Sequence, residues 1–356
     1  MTRAQVFAFI LQTQIGIAVL SFPYDLHKAA GHDGWISVIL AGVCVQLVLL
    51  AYMMLCRRFP QQNLYELVTP IVGKWIGKLI SVIFVAHFAF TTCLILLMEM
   101  IFVELWILPY SNPWLIIVAN CVVCLYLAKE NIRIIARYHA LITLLVVVMI
   151  ALMLTSYRTM DLRYLLPVGQ GGLNSILMGV KSSVLSFLGF EVLLVLNSDI
   201  RTKGKSLITP ILWANSLATL FFLIVVLVCF VNFSSESLDF IPQPVPYYLN
   251  GISLPFLERL DLLFLSVWLV KVTATLISYF YCTGKGISHL FNLSDHRKVM
   301  YYLVPILCVS GFFWRSESRV QTLEQVTKIE SFVILGIPIV LLLLAWVRGK
   351  RGQLPV

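Results

Sequence analysis

Charge is what this sequence has least of. Asp, Glu, Lys and Arg make up only 12% of its 356 residues, against 60% hydrophobic residues, and the mean hydropathy is +0.93. A soluble globular fold carries about a quarter charged residues, so that class is excluded and a membrane protein is expected. Catalytic signatures are lacking too: the chain has no GxSxG, HExxH, P-loop or GxGxxG, and no His and carboxylate at metal-ligand spacing on one helix face. An enzyme is not expected. Cysteine is missing from the predicted external loops, because all eight residues, Cys44, Cys56, Cys93, Cys121, Cys124, Cys229, Cys282 and Cys308, lie in or at the ends of apolar runs. No disulfide framework is implied. Cys121 and Cys124 make a CxxC with neither a second pair nor a nearby His, which reads as packing rather than zinc. No cofactor or metal is expected.

Long apolar runs are present instead. Crossing a bilayer core of about 30 Å takes roughly 20 residues. That template fits ten segments: 5 to 26, 35 to 56, 78 to 108, 114 to 128, 139 to 157, 176 to 198, 207 to 231, 260 to 283, 299 to 314 and 329 to 347. Arg3 before the first run suggests a signal peptide, but Gln12 and Gln14 interrupt it and no small-residue cleavage site follows, so it reads as a span.

The 26 basic residues divide unevenly. Seventeen, among them Arg57, Arg58, Arg133, Arg137, Arg201, Lys203, Lys205 and Arg351, fall on one set of loops. Seven, including Lys28, Arg158, Arg163, Arg315 and Lys328, fall on the other, and Lys181 and Lys271 sit within spans. The positive-inside bias places both termini in the cytoplasm. The net charge of +9 is spread over inner loops without an aromatic-interleaved patch, so it suits anionic headgroups and not nucleic acid.

No linker separates soluble domains, so residues 1–356 read as one integral membrane domain. Its longer loops carry few elements. Leu64, Leu67, Val68 and Ile71 at helical spacing suggest a short interfacial helix, and Pro242, Pro244 and Pro246 forbid a continuous helix in the loop before span 8. Ten spans make two sets of five with opposite topology, about 1–158 and 159–347. The first span of each set carries a weak point: Gly16 in TQIGIAVLSFP, followed by Pro23, and Gly189 in SFLGFEV. Matching interruptions in inverted halves point to a transporter-type site.

Where a membrane helix unwinds, its freed backbone groups need partners, and an N-terminal half-helix end suits a carboxylate. The expected donors are Ile15, Gly16, Ile17 and Ala18 in span 1 and Phe187, Leu188 and Gly189 in span 6. Either glycine alone reads better as a packing residue, and it is their matching positions in opposed halves that favour the break.

Glu191 follows the second break. A charge there costs at least about 2.5 kcal/mol in lipid, so it faces protein or water. Three roles compete: an acceptor that closes the opened backbone, a proton carrier, or a partner for a ligand amine. Lys271, mid-span in WLVKVTA, is the nearest expected counter-ion in depth, whereas Lys181 lies about 15 Å from Glu191 along a regular helix and is expected to snorkel. His87 falls near mid-bilayer and suits either a cavity wall, a proton relay or plain packing. Glu99 and Glu104 are expected near the external headgroups, solvated or locally paired.

Four blocks in order, IGIAVLSFP (15–23), GKWIGKLI (73–80), SFLGFEVLLVL (186–196) and LERLDLLFLSVWLVK (257–271), resemble the B subunit of bacterial spore germinant receptors over essentially the whole chain. That family is similar to the amino acid/polyamine/organocation transporters. The resemblance implies an all-α membrane fold of ten helices in a LeuT-type five-plus-five inverted repeat with spans 1 and 6 broken. It further implies a location in the spore inner membrane, a larger A subunit and a lipoprotein C subunit as partners, and a small germinant such as an amino acid as ligand. Gly16, His87 facing the site, and Phe187, Leu188 and Gly189 carry over to the ligand site. Proton-coupled relatives place a lysine in the fifth span, and LITLLVVVMIALML has none. A proton-coupled amino acid permease is the alternative function.

Overall fold

The computed structural model describes residues 1–155, 160–169, 171–200, 207–252, 258–313 and 316–350. Arg158, Arg201, Lys203, Lys205, Arg315 and Arg351, used above for orientation, lie outside the described residues. Every regular element among the described residues is a helix.

The first span is two helices. α1 (Arg3–Gln14) opens with a capping box in which Thr2 and Gln5 satisfy each other's backbone N–H groups, and α2 (Phe22–Ala30) opens with Pro23 in its first turn, where a missing N–H costs nothing. A single 3-10 turn, Ile17–Leu20, joins them. α3 (Gly34–Arg58) and α5 (Lys74–Trp106) are long enough to cross a bilayer. Between them α4 (Leu64–Val72) has its own capping box, Asn63 with Glu66. The expected apolar face is there, but Leu64, Leu67 and Val68 are fully buried and α4 packs on α5. It is therefore a bundle helix and not a lipid-surface one.

α6 (Pro113–Ala128) is the short fourth span, started by Asn112 as cap. The fifth begins seven residues earlier than expected, as α7 (Ile132–Ile142) and α8 (Leu144–Met153), which meet at Thr143. The sixth is again divided, into α9 (Gly172–Ser186) and α10 (Val192–Leu196). α11 (Ile208–Asn232) follows, and the proline-rich loop forms two short helices, α12 (Ser235–Phe240) and α13 (Pro244–Asn250). α14 (Leu260–Leu290), α15 (His296–Phe313) and α16 (Glu317–Val347) complete the bundle. α16 starts twelve residues before the apolar run, so its polar first turns lengthen the helix at its N-terminal end beyond what hydropathy alone marks.

α14 lies along α5, α1 packs on α11 and α7, and α3 packs on α9 and α11. Six helical segments are long and apolar enough to span a membrane on their own among the described residues; the broken spans reach that length only as pairs. Asp33, buried between α2 and α3, accepts the N–H groups of Gly169 (2.7 Å) and Gly171 (3.2 Å) and so fixes the entry to α9. Past the C-terminal end of α10, Asn197 Nδ2 donates to Phe59 O and Gln62 O, each at 2.8 Å, and Lys285 of α14 pairs with Asp199 at 2.5 Å. These ties close one end of the bundle.

Candidate functional site

The two interruptions lie against each other. Gly189 has φ +124°, a conformation that excludes L side chains, and a Cβ there would stand 2.2 Å from Thr13 O. Backbone meets backbone at this point, so glycine is required twice over. Gly16 faces the other way, with a Cβ position 3.3 Å from the Thr275 methyl of α14.

Each break is held by buried polar side chains. Glu191, fully buried, accepts the Gly189 N–H through Oε2 at 2.8 Å and the Tyr279 hydroxyl through Oε1 at 2.5 Å. His87 Nε2 stands 3.7 Å from the same Oε1. Gln14 at the end of α1 donates to Phe187 O at 3.4 Å and to Asn215 Oδ1 at 3.0 Å. Thr275 donates to Gln12 O at 3.1 Å. Lys271, 1% exposed, donates to Gln12 Oε1, while Gln12 Nε2 donates to Thr143 Oγ1 at 3.1 Å.

These contacts correct several expectations. Lys271 is not the counter-ion of Glu191: it faces α1, and Glu191 finds Tyr279 and Gly189 instead. Glu99 is fully buried and accepts from Thr273 Oγ1 at 2.9 Å, because it lies where α5 packs along α14. Ile15 is no free donor, since its N–H reaches Leu11 O at 3.2 Å. The span 6 donors are also spent: Phe187 N–H on Ser183 O, Leu188 N–H on Leu185 O, and Gly189 N–H on Glu191. The reason is polarity, for α9 meets the break with its C-terminal end, where carbonyls are left over and amides are not. Gly16, Ile17 and Ala18 differ: their N–H groups meet no acceptor among the described residues.

Beside those three amides lies a cavity of about 340 Å³. Gly16, Ile17, Ala18 and Leu188 border it; Ile15, His87, Phe187, Gly189, Glu191 and Lys271 do not. His87 is 1% exposed and sits behind Tyr279, with ring centroids 6.4 Å apart. Phe187 stacks on Phe222 at 4.8 Å and packs the break from behind. The far wall is apolar, with Leu94, Ile95, Met98 and Phe102 of α5. The mouth is polar: Asp25 of α2 faces Glu324 and Lys328 of α16, which pair with each other at 2.5 Å.

Sequence reasoning missed Thr275 and Tyr279, which border the cavity from α14. A signal existed: Lys271, Thr275, Ser278 and Tyr279 form a polar stripe at helical spacing in an otherwise apolar run. It missed the α16 residues because it placed them outside the membrane. Lys181 is exposed on α9, with its ammonium 5.2 Å from the Phe332 ring.

Two broken helices that meet at their interruptions beside a cavity define a class, a multi-pass helical membrane protein with paired broken spans. The fold is LeuT-like: the structure matches the crystal structure of MhsT in complex with L-phenylalanine with a TM-score of 0.76 over 97% of this chain and 89% of that one, at 14% identity. The chain belongs to the spore germination protein family, whose profile matches residues 1–320. It is 27% identical over 357 residues to spore germination protein YndE of Bacillus subtilis (strain 168), covering 99% of this chain and 98% of that protein. It is 24% identical over 334 residues to spore germination protein GerQB of Bacillus cereus, covering 93% and 91%. Spore germination protein B2 of B. subtilis (strain 168) is 22% identical over 362 residues, covering 99% and 98%.

Proposed function

We propose that the chain is the nutrient-sensing membrane subunit of a spore germinant receptor, and that it binds a small nutrient such as an amino acid in the cavity between the breaks. One observation carries this reading: three consecutive backbone amides, Gly16 to Ala18, border a cavity with no acceptor of their own. Unpaired donors in a membrane interior are costly, and an anionic group removes the cost. Such a site reads the common part of an amino acid with backbone and leaves the apolar wall on α5 to read the side chain.

In this reading residues 1–356 act as one permease-like unit of two inverted repeats, about 1–158 and 159–347, with both termini in the cytoplasm and the cavity mouth facing outward. The protein resides in the spore inner membrane beside a receptor A subunit and a lipoprotein C subunit. The ligand acts by favouring one state of the bundle over another, and the partners respond to that shift. Glu191 holds the opened backbone of span 6, and His87 supports it from behind.

Leu188→Phe tests this. The larger ring fills the cavity next to the free amides, so the nutrient concentration needed for half-maximal germination should rise about tenfold or more. An unchanged dose response removes the cavity from the account.

The proton-coupled permease remains a second reading, favoured by Lys271, a buried amine with one polar partner beside the span 1 break. It predicts accumulation of labelled amino acid in proteoliposomes under an imposed proton gradient. Absence of uptake excludes it.

A further inference from the structure

One acceptor at the cavity is unaccounted for. Gln14 borders it, is 1% exposed, and its Oε1 has no donor among the described residues. The orientation of this amide is dictated by its neighbours. Asn215 Nδ2 donates to Gly42 O at 3.0 Å and to Gln46 Oε1 at 2.5 Å, so Asn215 can offer Gln14 only its oxygen. Gln46 is fixed in turn, because its Nε2 donates to Leu212 O at 3.4 Å. Gln14 must therefore turn Nε2 to Asn215 and to Phe187 O, which leaves Oε1 outside the network. A second buried atom without a partner, Thr91 Oγ1 of α5, borders the same cavity and is able to accept.

The stretch Gln14 to Ala18 thus presents an orphan acceptor two residues before three orphan donors. That pattern suits a ligand with a hydrogen-bond donor close to an anion. An ammonium has three N–H groups for the two waiting oxygens, a hydroxyl has one, and charged hydrogen bonds are the stronger kind. We infer that Gln14 Oε1 receives the ammonium of an α-amino acid whose carboxylate lies on the Gly16 to Ala18 amides, which makes Gln14 the residue that selects amino acids over other carboxylates. This rests on the proposed nutrient site in the cavity.

Isothermal titration of the full-length purified protein tests it with defined probes: the twenty L-amino acids, inosine and glucose, and for each amino acid that binds, its des-amino and α-hydroxy analogues. For L-leucine these are 4-methylpentanoate and 2-hydroxy-4-methylpentanoate. The unmutated protein should bind at least one amino acid and its des-amino analogue about 30-fold or more weakly. Gln14→Leu should erase that discrimination. Because the ligand pair is compared on the unmutated chain, the test holds even if Gln14→Leu fails to fold. Des-amino analogues binding within about threefold of the amino acid would overturn the inference. So would binding of inosine or glucose alone. In either case loss of binding in Leu188→Phe keeps the cavity as the site, whereas no binding of any probe removes both.

Discussion

At the scale of single residues, the second break depends on Gly189 more than on any other position. Its φ of +124° and the 2.2 Å approach of a would-be Cβ to Thr13 O leave no rotamer to yield. Gly189→Ala should destabilise by about 3 kcal/mol or more and give little folded protein, measured by expression and thermal melting in detergent. A normal melt would contradict the close backbone crossing. Tyr279→Phe removes one of the two close donors on the buried Glu191 carboxylate and should cost about 1–3 kcal/mol in the same assay. Gly189 and Glu191 were conspicuous in the sequence because a flexible residue and a charge do not belong in an apolar run. What the carboxylate touches was not legible, since Tyr279 lies 88 residues away and only the packing of α14 brings it there.

At the scale of elements, the joint between α1 and α14 rests on Lys271 and Gln12. Its two halves are unequal. Lys271→Met replaces a buried amine with an apolar chain of similar length and should change stability by less than about 1.5 kcal/mol, whereas Gln12→Leu strands the amine in the bundle and should cost about 3 kcal/mol or more. Thermal melts of both variants and the double variant check this; equal losses would show that Lys271 and Gln12 do not act as a pair. Hydropathy located the ten apolar runs and the matching weak points, which fixed the fold class. It misplaced the start of α16, because the first turns of that helix are polar and partly exposed, and Glu324 and Lys328 among them line a cavity. It also gave α4 to the lipid surface, for an apolar stripe has the same period whether lipid or a neighbouring helix covers it.

At the scale of the whole molecule, the cavity opens between Asp25 and α16 while Asn197, Asp199 and Lys285 tie the opposite end. The proposed orientation, with both termini in the cytoplasm, predicts that Asp25→Cys reacts with a membrane-impermeant thiol reagent in intact cells and Lys285→Cys only after permeabilisation; the reverse pattern would invert the topology. The central claim is that a nutrient sits where the two broken spans cross. The most direct measurement is a cryo-electron microscopy map of the assembled receptor with a nutrient that triggers it. The account predicts ligand density against the amides of Gly16, Ile17 and Ala18 and beside Leu188. Density on a partner subunit, with this cavity empty, would contradict it.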